Sequence, residues 1–280
     1  MRVFIIIGLL TIGACTKPID LELPPYSSKI VVNGEFDSEK TIELQVTRSL
    51  PILQASDSTG YLLKNASITV FENGVNIGNA TYMAGKYFLN KQPKNGASYR
   101  VDVTAPGYNN ASANLNIPKA TPISASYKDS IGLDADGFKV GQLTVSFTDA
   151  PGTSNYYRFF IRYYNSGIMT WFPFTIVSND ILFLNNEKQK DGSYLFSDAT
   201  FSGKTKTLTF NVQSATVKGS PKFEISIKSF NEDYYYYLQQ TNAYNQDGNG
   251  FSNDPVILRT NVTDGLGMIG GVSNAKDTIF

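Results

Sequence analysis

Histidine is absent from the 280 residues, and there is one cysteine and one tryptophan. Without histidine there can be no Ser-His-Asp or Cys-His nucleophile system, no HExxH zinc site and no histidine-ligated iron or copper. Carboxylate-pair chemistry and oxygen-ligated calcium survive that exclusion. An excess of either charge is also missing, since 24 basic residues balance 24 acidic ones. That leaves no basic footprint for nucleic acid and no polybasic stripe for anionic lipid. No apolar run approaches the roughly 20 residues that a membrane-spanning helix needs. These absences point away from an enzyme and from nucleic-acid binding, and no cofactor is implied.

The one cysteine closes an N-terminal pattern. Met1-Arg2 supplies positive charge, Val3 to Leu10 is an apolar run, and small residues follow, which is the layout of a secretory signal peptide. Ile12-Gly13-Ala14-Cys15 resembles a bacterial lipobox, with an aliphatic residue, two small residues and then the cysteine. On this expectation residues 1–14 are removed, and Cys15 is diacylated and holds the mature chain on a membrane without crossing it. Two acyl chains make anchoring stable where one gives marginal binding, at about 0.8 kcal/mol per buried methylene. With Cys15 spent on lipid no thiol remains for a disulfide, and the fold rests on its core. Residues 15–28 read as a tether kept extended by Pro18, Pro24 and Pro25.

What is plentiful is aromatic and turn-forming: 17 Tyr, 18 Phe and 23 Gly. Such usage suits strands and turns. Ile42, Leu44 and Val46 alternate with polar residues, as do Ile68 with Val70, and Tyr99, Val101 and Val103. Asn73-Gly74 is a hairpin signal between two such runs. The order Ala66-Ser67-Ile68-Thr69-Val70, Gly85-Lys86-Tyr87, Gly96 to Val103 and Gly107-Tyr108 resembles the carboxypeptidase-regulatory-like (transthyretin-related) β-sandwich. That resemblance covers roughly residues 29–118 and implies a spacer or recognition module. The prolines of residues 116–124 mark a boundary. Beyond it Tyr157, Phe159, Ile161 and Tyr163 share one face of a strand, and Tyr156, Arg158, Phe160 and Arg162 the other. With Leu208, Phe210 and Val212, and Phe223, Ile225 and Ile227, this predicts a second, fibronectin-III-like sandwich over 119–280. The expected fold is therefore mainly β, two β-sandwich units (Ig/transthyretin-like, then fibronectin-III-like) with one short C-terminal α-helix.

That helix is expected near 232–245, opened by Asn231 as N-cap with Glu232 and Asp233 in its first turn. Tyr234, Tyr237, Leu238, Thr241 and Tyr244 fall on one face. They form either an aromatic platform or, more simply, the stripe that docks the helix. Tyr235 and Tyr236 lie off that face and are the candidates for an exposed ligand contact.

Ile19 to Tyr26, Lys29 to Gly34, Tyr235 to Leu238, Phe251 to Val256 and Thr260 to Met268 follow one another as IDLELPPY, KIVVNG, YYYL, FSNDPV and TNVTDGLGM. In that order they resemble the Bacteroidota outer-membrane lipoprotein family called domain of unknown function 4249, over nearly the whole mature chain. The resemblance implies an accessory lipoprotein beside a TonB-dependent transporter in nutrient uptake. It implies no catalytic residues. The rival class is a structural or adhesive cell-surface module without a transport role. The expected location is the outer membrane, lipid-anchored, on either face, with an unknown small ligand.

Asn245, Asp247 and Asn249 match the first positions of a calcium loop, but Val256 stands where its bidentate glutamate belongs. A solvated helix-to-strand loop is the simpler account, as a hairpin turn is for Asp134 to Gly137. The tripeptides at Asp57, Asp129 and Asp277 resemble O-glycosylation acceptors of exported Bacteroidota proteins, which makes Ser58, Ser130 and Thr278 candidates in expected loops or termini.

Overall fold

The computed structural model describes residues 26–51, 60–186, 188–213, 222–246 and 258–279, with the backbone alone for 243–246. The first unit holds β1 (Ile30–Asp37), β2 (Ile42–Arg48), β3 (Ser67–Glu72), β4 (Val75–Met83), β5 (Lys86–Leu89), β6 (Ser98–Thr104) and β7 (Ala111–Asn116). The second holds β8 (Ile123–Leu133), β9 (Lys139–Thr148), β10 (Tyr156–Asn165), β11 (Thr170–Pro173), α1 (Ile181–Leu184), β12 (Tyr194–Ser197), β13 (Thr205–Gln213) and β14 (Phe223–Phe230). Helix α2 (Glu232–Gln246) follows, and β15 (Val262–Thr263) and β16 (Leu266–Ile279) complete the described chain.

Alternation explains the strands. Ile42, Leu44 and Val46 of β2 are buried while Glu43 and Gln45 between them face out, as a period of two requires. Tyr99, Val101 and Val103 of β6 join the same core. In the second unit Tyr157, Phe159 and Ile161 face Phe147, Leu208, Phe210 and Val212 across the sandwich. Each fully buried side chain of this size contributes about 1.5–3 kcal/mol. Asn73 and Gly74 take φ of 49° and 82° between β3 and β4, the primed turn that a two-residue hairpin needs. The expected turn at Asp134 is also present: its Oδ1 accepts from the amides of Asp136 (3.1 Å) and Phe138 (2.8 Å).

The two units share a strand. The first half of β16 runs parallel to β1, from Val31↔Leu266 to Asp37↔Val272. Its second half runs antiparallel to β14, from Phe230↔Val272 to Phe223↔Ile279. One sheet therefore passes from β11 and β10 through β14, β16 and β1 into β2, β5 and β4. A three-stranded sheet, β13-β9-β8, covers the second half. Val262 and Ile269 sit in the first core, so residues 119–280 do not make a self-contained sandwich. Strand pairing between opposite ends of a chain leaves no local mark on sequence, and the division at 118 could not show it.

The outer edge of β8 is closed by a side chain. The Asp277 carboxylate of β16 accepts the Ala125 amide at 2.6 Å, which satisfies an edge donor that would otherwise invite strand pairing. Helix α1 is one turn, capped by Asp180, whose Oδ1 accepts the Leu182 amide at 3.0 Å. It seats Leu182 and Phe183 in the second core. A single turn has too little periodicity to be read from sequence.

Candidate functional site

Helix α2 lies against the outer face of the shared sheet, where Gly270 of β16 makes room for it, while the next residue, Gly271, admits the backbone of β7 on the opposite face. A methyl on Gly270 would overlap the Tyr234 ring, and one on Gly271 would overlap the Asn116 carbonyl. The helix begins where the Asn231 carbonyl accepts from Tyr235 N–H at 3.1 Å. The Asn231 side chain does not cap it as expected, because its Oδ1 accepts the Gly271 amide of β16 at 2.7 Å. Asn231 thus ties the helix start to the strand beneath.

Tyr234 faces the sheet and donates its hydroxyl to Glu35 Oε2 at 2.8 Å. Burial, with the Glu35 carboxylate beside it, pushes that phenol far above its ordinary range. Glu35 opens a charge ladder: Lys40 lies 3.4 Å from it, and Lys228 lies 3.1 Å from Asp37. Tyr235, expected to be exposed, is buried instead. Its ring stacks on Tyr156 at 4.6 Å, and Gln239 Nε2 donates to its hydroxyl at 2.9 Å. Burial raises its pKa to about 12. Tyr236 is half-buried, edge-on to Tyr156 at 5.7 Å and under the Arg259 guanidinium at 5.1 Å. Asp233 Oδ1 holds Arg259 Nε at 2.7 Å. The helix is packed on two sides, by the sheet and by the β10 and Arg259 residues, so an argument from a single apolar face misplaces Tyr235. Tyr234 docks the helix, and Tyr237 lies nearly parallel to it at 6.3 Å.

Beside the helix start, a cleft of about 1030 Å³ opens at the junction of the two sandwiches. Its walls are the linker with Pro118 and Pro122, the β9–β10 turn with Pro151 and Asn155, and Tyr156 with Phe230. Those walls are fixed from behind. Buried Asp149 accepts from the Tyr157 hydroxyl and from the Gly203 amide, the latter at 2.7 Å. Burial and that carboxylate drive the Tyr157 phenol well above its usual range. Thr121 and Ser229 share a buried hydroxyl bond of 2.9 Å, and Asn155 Nδ2 donates to the Ala150 and Thr153 carbonyls, each at 2.9 Å. The sequence reading placed Tyr157 on a strand face and did not mark it or Asp149 as part of a site. The available signal was an acid followed by the Pro151-Gly152 turn and an aromatic strand. The cleft offers prolyl and aromatic surface next to amides and hydroxyls, an arrangement suited to holding a small ligand.

A second, open cleft of about 700 Å³ lies over the outer face of β1, β2 and β5. It brings Glu35 and Glu43 into one place, each paired with a lysine, Lys40 and Lys86 respectively. Among the described residues no group of three or more His, Cys, Asp or Glu is placed to hold a metal ion. The side chains of Asn245, Asp247 and Asn249, and residues Cys15 and Ser58, lie outside the described set. Ser130 is in a strand where a loop was expected, and Thr278, expected near the terminus, lies in the last strand, β16. Ser130 occupies an irregularity of β8 between Lys128 and Gly132, exposed and with φ of 53°. Thr278 pairs with Glu224 in the ladder and is half-buried, and the preceding Asp277 is engaged with Ala125. No helix among the described residues is long and apolar enough to cross a membrane.

The model of the family described as Domain of unknown function (DUF4249) matches residues 16–278. The chain belongs to that family. No curated protein matches the sequence. Among solved structures, an alpha-2-macroglobulin from Salmonella is similar at 9% identity and a TM-score of 0.26, covering 92% of this chain and 15% of its own. The fibronectin(III)-like modules of CbhA from Clostridium thermocellum align at 11% identity and 0.26, covering 74% of this chain and 87% of theirs. A DUF4785 family protein from Legionella pneumophila aligns at 10% identity and 0.26, covering 72% and 52%. Likeness at these scores carries no argument about function.

Proposed function

We propose that this DUF4249 protein is a lipid-anchored accessory lipoprotein of the bacterial outer membrane that works beside a TonB-dependent transporter and binds a small ligand. It acts by binding rather than by catalysis. The observation that carries the reading is the lipobox-like Ile12-Gly13-Ala14-Cys15, joined through a proline-bearing tether to a body with a ligand-sized cleft at its junction. Diacylation at Cys15 would hold the body at a lipid surface, where two chains suffice for stable anchoring. A structural or adhesive module is the second reading. It draws on the sheet shared by both sandwiches, which stiffens the body as a spacer would need.

Extraction of native membranes in mild detergent tests the first reading. The protein should co-purify with a transporter barrel, whereas recovery as a free monomer counts against it and favours the spacer. A Cys15→Ala variant should take up no labelled fatty acid and fail to mature, as read by metabolic labelling and gel mobility.

A further inference from the structure

The junction cleft borders a stretch of main chain that the fold leaves unpaired. Between β7 and β8 the Pro118 carbonyl accepts the Gly96 amide at 3.3 Å, and the Pro122 carbonyl accepts the Thr148 amide at 3.3 Å. The Lys119 carbonyl accepts the Ser273 hydroxyl at 3.2 Å. Ala120, between them, makes no hydrogen bond with any described residue through its N–H or its C=O. Thr121 is 7% exposed and its hydroxyl is bonded to Ser229, but its N–H and C=O likewise have no described partner. Both residues line the cleft. Polar main-chain groups at a buried position need a partner, and the space that can supply one here is the cleft.

The charges that line the cleft are balanced. Lys119 is exposed on the linker wall and has no ion pair among the described residues. Glu232 is exposed on the wall formed by the helix start, 3.9 Å from the Arg259 guanidinium that Asp233 holds more closely at 2.7 Å. The third lining charge, Asp149, is buried and already spent on Tyr157 and Gly203. One free cation and one exposed carboxylate on different walls match a molecule that bears both an anionic and a cationic end. A ligand of a single sign would meet a like charge.

A sugar is a poorer match. Tyr156 and Phe230 are 8% and 3% exposed, and Tyr235 stacks on Tyr156 at 4.6 Å, so neither wall ring offers the open face that sugar stacking uses. Pro118, Pro122 and Pro151 supply apolar surface for side chains instead. An extended peptide residue can exchange two main-chain bonds with the one opposite it, and Ala120 has both its donor and its acceptor free. Main-chain bonds of this kind, with capture of a terminal carboxylate or amine, are a general mode of peptide recognition. We propose that the junction cleft binds a short peptide with free termini, laid against Lys119 to Thr121 as an added strand. Its carboxylate pairs with Lys119 and its ammonium with Glu232. This names the ligand class of the small-ligand reading above and rests on that reading.

The test titrates full-length, lipidated protein in detergent with tetraalanine in a calorimeter. The free peptide should bind, and its N-acetylated, C-amidated form at least tenfold more weakly. Lys119→Gln should weaken the free peptide at least tenfold and leave the blocked one unchanged. Thr153→Trp, on the exposed β9–β10 turn, should fill the cleft and abolish binding of both, with the melting temperature of the empty protein unchanged. Equal affinity for free and blocked peptide, or binding that Thr153→Trp does not alter, overturns the proposal. Absence of peptide binding overturns it in every case. Maltotetraose binding that Thr153→Trp abolishes would then leave the small-ligand reading standing. No binding of either probe, with no small molecule released from the natively purified protein in mass spectrometry, would remove that reading as well.

Discussion

Asp37 carries a charge where charge is costly. Its side chain is 1% exposed, and burial by itself would raise its pKa. The Glu39 amide at 2.9 Å and the ammonium groups of Lys228 and Lys40, at 3.1 and 3.4 Å, outweigh that and hold the carboxyl below its ordinary value. A folded-state pKa below the unfolded one gives stability that is complete above the unfolded pKa and lost as pH falls through the folded one. Glu39, held by Lys276 and Asn274, and Asp191, held by Ser193 and Arg158, are also lowered against their burial and have the same sign. The melting temperature should therefore drop steeply below about pH 4. Asp37→Asn should cost about 1–3 kcal/mol at neutral pH, because Lys228 loses the nearer of its two carboxylate partners and keeps only Glu35 at 4.0 Å, and its acid limb should be shallower than that of wild type. Thermal melts from neutral to acidic pH check both. An acid limb as steep as wild type would remove Asp37 from the account.

At the scale of the element, helix α2 holds its position through the missing side chain of Gly270 and the ring placed over it. Gly270→Ala should force Tyr234 off the sheet and break its bond to Glu35, at a cost of about 1–3 kcal/mol. Tyr234→Ala should lose much of the same packing. The double variant should then be less destabilised than the sum of the two singles, a coupling that a double-mutant cycle in denaturant measures. Strict additivity would mean that the two residues do not share one contact. The extent of α2 was legible from its capping acids and tyrosine spacing, as were β2, β6, β10 and β13 from their alternation. The burial of Tyr235 was not legible. Helical periodicity assigns one face, and Tyr235 is buried on a different face, by Tyr156 of a strand some eighty residues earlier. The junction cleft was hidden for the same reason, since its walls come from three segments far apart in sequence.

Over the whole molecule, the connection that decides behaviour is β16. It supplies Ile269 to the first core, and Ala275 and Ile279 pack against the second. Neither sandwich can lose the strand and keep its core, because each would then expose an apolar row that now meets β1 or β14. Sequence patterning separated two sandwiches, but no local pattern could reveal that one strand serves both. That arrangement predicts one cooperative unfolding transition rather than two. Trp171, the one tryptophan, lies on β11 at the edge of the second sandwich, so its fluorescence reports that unit while far-UV circular dichroism reports both. The two denaturant curves should superimpose and give the same midpoint, as two-state unfolding requires. Ending the chain after Val272 removes the half of β16 that pairs with β14 and the Asp277 cap on β8. The second sandwich should then melt first, with the Trp171 signal moving to lower denaturant ahead of the dichroism. Separate midpoints already in the intact chain would show that the shared strand does not couple the sandwiches.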